Sequence, residues 1–272
     1  MKILTSLSIC LLLSISASAQ GAEKVELRVV YNGTWEVFEG FKDDDRYGLD
    51  IGKDAVVFYD WSNRCIKMEL AGISENSAGY WEKLGNLTKK YGGGRDVEYA
   101  INLPSQGLYT ANDHAGPYFF NYTDSIPLVQ WELEDSTRLI CEYECSKAVG
   151  QLNGRTWTVW YSPDIPLSYG PHILGGLPGL ILAASDSNGV FCFEAEGIER
   201  PNDGSVVELI NTKKAQRSTR KQVRRLRAEY NEMTNGEYFR RAMPDWPLDG
   251  HVERFGKDVT HEKVEKNFYF DE

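Results

Sequence analysis

Hydrophobic and polar residues alternate with a period of two along much of this chain, and that period predicts strands. Val25, Leu27, Val29 and Tyr31 alternate with Glu26 and Arg28, and Ile66, Met68 and Leu70 alternate with Lys67 and Glu69. Both stretches read as half-buried antiparallel strands. A second group runs through 129–133, then places Leu139, Cys141, Tyr143 and Cys145 on one face of a single strand. It continues through 155–162, where Trp157, Val159 and Tyr161 oppose Thr158 and Trp160. Strands over 180–185 and 190–197 flank Asn188-Gly189, and Asp203-Gly204 joins the latter to 205–212. Both dipeptides are turn formers, so these three strands form a meander.

Helical periodicity is rarer. A helix fits 78–91, although Gly79 and Gly85 each cost about 1 kcal/mol relative to Ala. The stretch 92–123, rich in Gly, Asn and Pro, reads as a long irregular excursion, either a lid or a surface loop. A second helix begins near Lys214 and runs to about Met233, with Val223, Leu226, Tyr230 and Met233 on one stripe. The helical segment as a whole covers about 214–243. The predicted fold class is mainly β (α+β): a curved antiparallel sheet or half-barrel with a C-terminal amphipathic helix, in one domain over residues 20–272.

The N-terminus adds a location. Lys2, the apolar run from Leu4 to Ile15 and Ala17-Ser18-Ala19 form an export signal over residues 1–19, with the mature chain starting at Gln20. A lipoprotein reading on Cys10 is weaker, because Ile9 stands where a small residue is expected. No later uncharged run approaches the roughly 20 residues that cross a bilayer. The sequence thus predicts an exported, non-transmembrane protein of the periplasm or the outer surface of the envelope.

Removal of the leader leaves four cysteines, Cys65, Cys141, Cys145 and Cys192. In an oxidising compartment an even number suggests two disulfides, with buried free thiols as the alternative. On one strand Cys141 and Cys145 would lie roughly 13 Å apart, too far to bond each other.

Charge separates the chain into two unequal parts. It carries 30 Lys plus Arg against 40 Asp plus Glu, a net charge of −10, which argues against nucleic acid as a partner. Yet Lys213, Lys214, Arg217, Arg220, Lys221, Arg224, Arg225 and Arg227 cluster on the second helix without an acid among them. That helix pairs with the chain's own acidic surface, with a partner protein, or with an anionic membrane.

Chemistry-bearing motifs are scarce. There is no nucleophile elbow, phosphate-binding loop, paired-cysteine motif or zincin helix, and no cofactor is implied. His261-Glu262-Lys263-Val264-Glu265 lacks a second His at metal-binding spacing, and Asp43-Asp44-Asp45 lacks the alternating ligands of a calcium loop, so no metal site is assigned. His114 follows Asp113, a carboxylate that could orient its ring, and His172 could join Cys141 or Cys145 around copper or zinc. In each case a surface or core histidine is the simpler reading.

The most unusual local string is Gly176-Leu177-Pro178-Gly179-Leu180-Ile181. Its backbone chemistry fits a tight apolar turn that feeds a core strand. Together with Tyr143-Glu144-Cys145, Gly154-Arg155-Thr156-Trp157 and Ile165-Pro166, it resembles the GLPGLI proteins of the Gram-negative envelope, whose function is unassigned. The resemblance implies a non-catalytic binding or interaction protein, partnering an outer-membrane TonB-dependent receptor or another envelope protein. Lys147, Arg155, Trp157 and Trp160 are the residues first expected to bind. Two alternatives stand beside this one: a lipid or lipoprotein carrier enclosing an apolar ligand, and a hydrolase whose site the sequence does not display.

Overall fold

The computed structural model describes residues 23–38, 41–210, 215–244, 253–254, 257–258 and 269. The export signal, Lys213, Lys214 and the His261 segment lie outside them. The fold is mainly β, with one large open sheet and four helices, as the alternation predicts.

Two meanders build the sheet. The first comprises β1 (Leu27–Phe38), β2 (Phe41–Ile51), β3 (Val56–Asp60), β4 (Glu98–Ile101), β5 (Leu108–Ala115) and β6 (Tyr118–Ser125). The second comprises β7 (Trp131–Ile140), β8 (Tyr143–Leu152), β9 (Arg155–Ser162), β10 (Leu180–Asp186) and β11 (Phe191–Glu199). Each strand pairs antiparallel with its chain neighbour. Antiparallel pairing of β1 with β11 joins the two meanders, and the short β12 (Gln216–Arg217) adds parallel to β6. A small hairpin, β13 (Glu253–Arg254) with β14 (Lys257–Asp258), stands apart.

Four helices complete it: α1 (Trp61–Leu70), α2 (Tyr80–Tyr91), α3 (Arg220–Asn231) and α4 (Asn235–Ala242). None of the described helices is long and apolar enough to cross a membrane.

One face of the sheet carries the main core, in which Tyr31, Tyr47, Phe58, Tyr99, Trp157, Phe191 and Phe193 are fully buried. Gly33 is required there, because a Cβ would stand 2.7 Å from the Tyr47 ring and 2.8 Å from Phe193. The Gly176–Ile181 string belongs to this core: Leu177, Leu180 and Ile181 are buried, and a Cβ on Gly179 would press on the Ser162 carbonyl.

The other face is also covered in its middle. Val25, Val57, Tyr59, Ala100 and Val207 form a second buried cluster there. All five residues of β3 and all four of β4 are accordingly buried, so the alternation is lost where helices and the 200–210 segment cap the sheet.

Several sequence expectations change. Ile66, Met68 and Leu70 lie on α1, which buries Ile66 and Leu70 and leaves Met68 60% exposed. Spacing of i and i+4 outweighs the apparent period of two. The excursion 92–123 is three strands. Where a third meander strand is expected over 205–212, the described residues 205–210 supply a single bridge, Lys24 to Val206.

Cys141 and Glu142 form a hairpin turn with φ of 49° and 69°, so Cys141 and Cys145 do not share a strand. All four described cysteines are free thiols, which corrects the expected disulfides. A core of this size holds the fold without staples. Alkylation of the denatured, unreduced protein is expected to modify Cys65, Cys141, Cys145 and Cys192 together, read as mass added in peptide mapping.

Candidate functional site

Cross-strand register on the second face assembles a row of polar residues. Arg28 of β1 stands opposite Asp50 of β2, while Gly48, Tyr59, Glu98, Asn112 and Asn121 follow one another across β2 to β6. The Tyr59 ring lies over Gly48, where a Cβ would meet it at 2.3–2.6 Å. Asn121 donates to Asn112 Oδ1 at 2.8 Å, and Asn112 donates to Glu98 Oε2 at 3.0 Å.

Helix α1 lies on this row because Asp60 caps it. One carboxylate oxygen accepts from the Asn63 N–H at 2.8 Å and the other from the Arg95 N–H at 2.9 Å. From the first turns of the helix, Trp61 and Arg64 then reach the polar row. Arg64 bonds Glu98 at 3.4 Å and the Glu208 carbonyl at 3.1 Å, with its guanidinium 4.4 Å from the Tyr59 ring centre.

Between α1 and the 203–208 segment the row opens into a cleft of about 470 Å³, lined by Arg28, Tyr59, Trp61, Arg64, Met68 and Asp203 among others. Arg28 binds Asp50 through two bonds, Nε to Oδ1 at 2.5 Å and Nη2 to Oδ2 at 3.0 Å, with side chains 10% and 1% exposed. Burial opposes the Arg28 charge, and the bonds and charge of Asp50 outweigh it, so the guanidinium is held more firmly protonated than usual. Burial, then the Asp50 charge, push the Tyr59 phenol up. Asp203 is held below the ordinary carboxylate range by bonds from Ser205.

Tyr59 and Trp61 stack at 6.2 Å and 22°, and Arg28 lies 5.6 Å from the Trp61 ring centre. Tyr59, Arg28, Arg64 and Asp50 are buried and hold the cleft's floor. Trp61, Met68 and Asp203 reach its surface, an apolar wall beside a carboxylate acceptor that suits a ligand with an apolar face and hydroxyls.

Asp60 has a further property. Burial, then the nearby Asp45 charge, raise its carboxyl to about 7. The folded state then holds a proton that the unfolded chain releases near pH 4, so stability falls as pH rises from about 4 to 7 and levels above. Asp60→Asn is expected to flatten that slope, read as the urea midpoint against pH.

The residues expected from sequence do not converge. Lys147 and Trp160 pair across β8 and β9, where Lys147 bonds Glu134 at 2.8 Å and Arg138 lies 4.7 Å over Trp160. Arg155 bonds Asp186 at 3.0 Å and lies 5.0 Å over Phe191, against which the fully buried Trp157 also stacks. These two anchor the sheet.

Asp113 and His114 point to opposite faces; Asp113 accepts from the Tyr99 hydroxyl inside the core, while His114 packs on Phe119 at 4.9 Å. His172 is buried against Tyr99, ring centres 3.6 Å apart, and burial lowers its pKa. Among the described residues no three His, Cys, Asp or Glu could hold a metal. Asp43 to Asp45 lie within β2.

Arg28, Asp50, Trp61 and Arg64 escape sequence reasoning. Alternation assigns Arg28 to solvent, and only the long-range packing of α1 and residues 203–208 buries it. Asp60 followed by Asn63 at a helix start is the one local signal.

Comparison with known proteins gives one matching family model, the N-glycanase peptide, N-terminal domain, over residues 99–223. No curated protein matches. Solved structures of PNGF-II match in two crystal forms. The C2 form has 18% identity and TM-score 0.48, over 76% of this chain and 34% of that one. The P21 form has 19% and 0.49, over 78% and 35%. The chain thus spans about a third of the length of the structures it matches.

These findings correct the GLPGLI resemblance, because the model that covers Gly176–Ile181 is that of the N-glycanase domain. The reading of a non-catalytic binding protein falls with it, since the matching description is of part of an enzyme.

Proposed function

We propose that this chain works in the enzymatic release of N-linked glycans, as the glycan-engaging unit of an N-glycanase-type enzyme, with the cleft between α1 and residues 203–208 receiving the sugar. The observation that carries the reading is the Tyr59–Trp61 stack flanked by Arg28, Arg64, Asp50 and Asp203. A pyranose ring has an apolar face that buries on an aromatic plane and a rim of hydroxyls that fork donors and carboxylates satisfy. The family match supports it, and its span supplies one wall of the cleft through Asp203, Ser205 and Glu208.

The test is titration of the full chain with a peptide bearing a neutral N-linked glycan and with the same peptide lacking it. The glycosylated peptide is expected to bind, and Trp61→Ala to weaken it about tenfold, equivalent to about 1.4 kcal/mol. Equal binding of the two peptides would overturn the reading.

A further inference from the structure

Helix α3 buries Val223, Arg227 and Tyr230 and turns Lys221, Arg224 and Arg225 outward. Some of its cations are engaged: Arg220 bonds Asn153 Oδ1 at 2.7 Å and stands 3.6 Å from Asp124, and Arg225 bonds Glu229 at 3.1 Å. Arg217, Lys221 and Arg224 make no ion pair among the described residues. Lys221 and Arg224 line an open concavity of about 700 Å³, walled also by Asp124, Arg220, Arg225 and Asn231.

Packing and ion pairs account for Arg220, Arg225 and Arg227 but not for the exposed Lys221 and Arg224. Arg220 and Lys221 occupy the first turn of α3, which contains no acid, so their charges add to the positive end of the helix dipole and oppose helix formation. Asp124 and Glu229 stand against Arg220 and Arg225, whereas Lys221 and Arg224 pair with no acid among the described residues, so a bound anion would offset their charge. The rim bears Asp124 and Glu232 and no exposed aromatic residue. Without aromatic residues the rim has nothing to insert into a bilayer.

We infer that the outer face of α3, around Lys221, Arg224 and Arg225, binds the acidic group of a charged glycan, a carboxylate, sulfate or phosphate ester. This rests on the glycan reading above and extends it to a second contact on the same substrate class.

The experiment uses the full chain and two glycopeptides that differ only by a terminal sialic acid, titrated at low and at physiological salt. Bilayer vesicles of 30% phosphatidylserine form a third arm. The sialylated peptide is expected to bind about fivefold tighter at low salt, with the advantage shrinking as salt screens it. The exposed double variant Lys221→Glu, Arg224→Glu, checked for folding by circular dichroism, is expected to lose the advantage and keep neutral-glycan affinity.

No preference for the acidic glycan would overturn the inference, while neutral binding sensitive to Trp61→Ala would leave the cleft standing. Acid-dependent binding lost in the double variant would sustain the inference even if neutral glycan did not bind. Vesicle binding lost in the double variant, with no glycan discrimination, would overturn it in favour of a membrane surface.

Discussion

Asp50→Ala is expected to destabilise the protein by about 3–5 kcal/mol, because it leaves a buried guanidinium without its main partner. Arg28 would retain only Glu199 and Asp203, each at 3.5 Å and more than half exposed. Those contacts place the loss toward the lower end of the range. The double replacement Arg28→Met, Asp50→Leu removes both charges and fills similar volume, so its stability should fall within about 1.5 kcal/mol of the parent while glycan affinity is lost. Urea denaturation with an unchanged slope is the check. A single variant as stable as the parent would mean that the pair is solvated.

Arg227→Ala is the second large effect. Arg227 is 0% exposed, donates from Nε to the His114 carbonyl at 2.8 Å and stands 2.7 Å from Asp113 through Nη2, with its guanidinium 4.0 Å from the Tyr269 ring centre. Removing it leaves Asp113 buried with the Tyr99 hydroxyl and one backbone N–H as donors. The expected loss is about 3–5 kcal/mol. Lys would restore charge but could not reach both the His114 carbonyl and Asp113 as the planar guanidinium does, so Arg227→Lys should recover only part. Because this residue ties α3 to β5, hydrogen exchange should quicken first in 220–231. Uniform quickening across the sheet would contradict the local role.

The mainly β class was legible because β1, β9 and β11 largely obey the period of two, whereas β10 is a continuous buried apolar run. Legibility failed where local and long-range preferences diverge. Residues 66–70 fit both periods, and only Met68, exposed on α1, shows that the helical one prevails. The strands β4 to β6 are four to eight residues long and separated by turn formers, so their composition imitates a loop. The β7–β8 turn uses Cys141 and Glu142 at positive φ without a glycine, and carries no turn signal.

The site was less legible than the fold. Arg28, Asp50 and Glu98 sit at polar positions of strands, which amphipathic patterning assigns to water. Their burial depends on α1 and on a segment some 175 residues further along the chain. The Gly176–Ile181 string drew a family resemblance although its residues are those that any tight apolar turn into a core strand requires, and Leu177 and Ile181 do serve that interior.

Hydroxyl-radical footprinting with the neutral glycopeptide tests the cleft most directly, since Met68 is exposed, readily oxidised and lies on its wall beside Trp61. Protection of Met68 and Trp61 by the glycopeptide, absent with the bare peptide, is the predicted result. Unchanged oxidation at both residues while the glycopeptide is bound would contradict it.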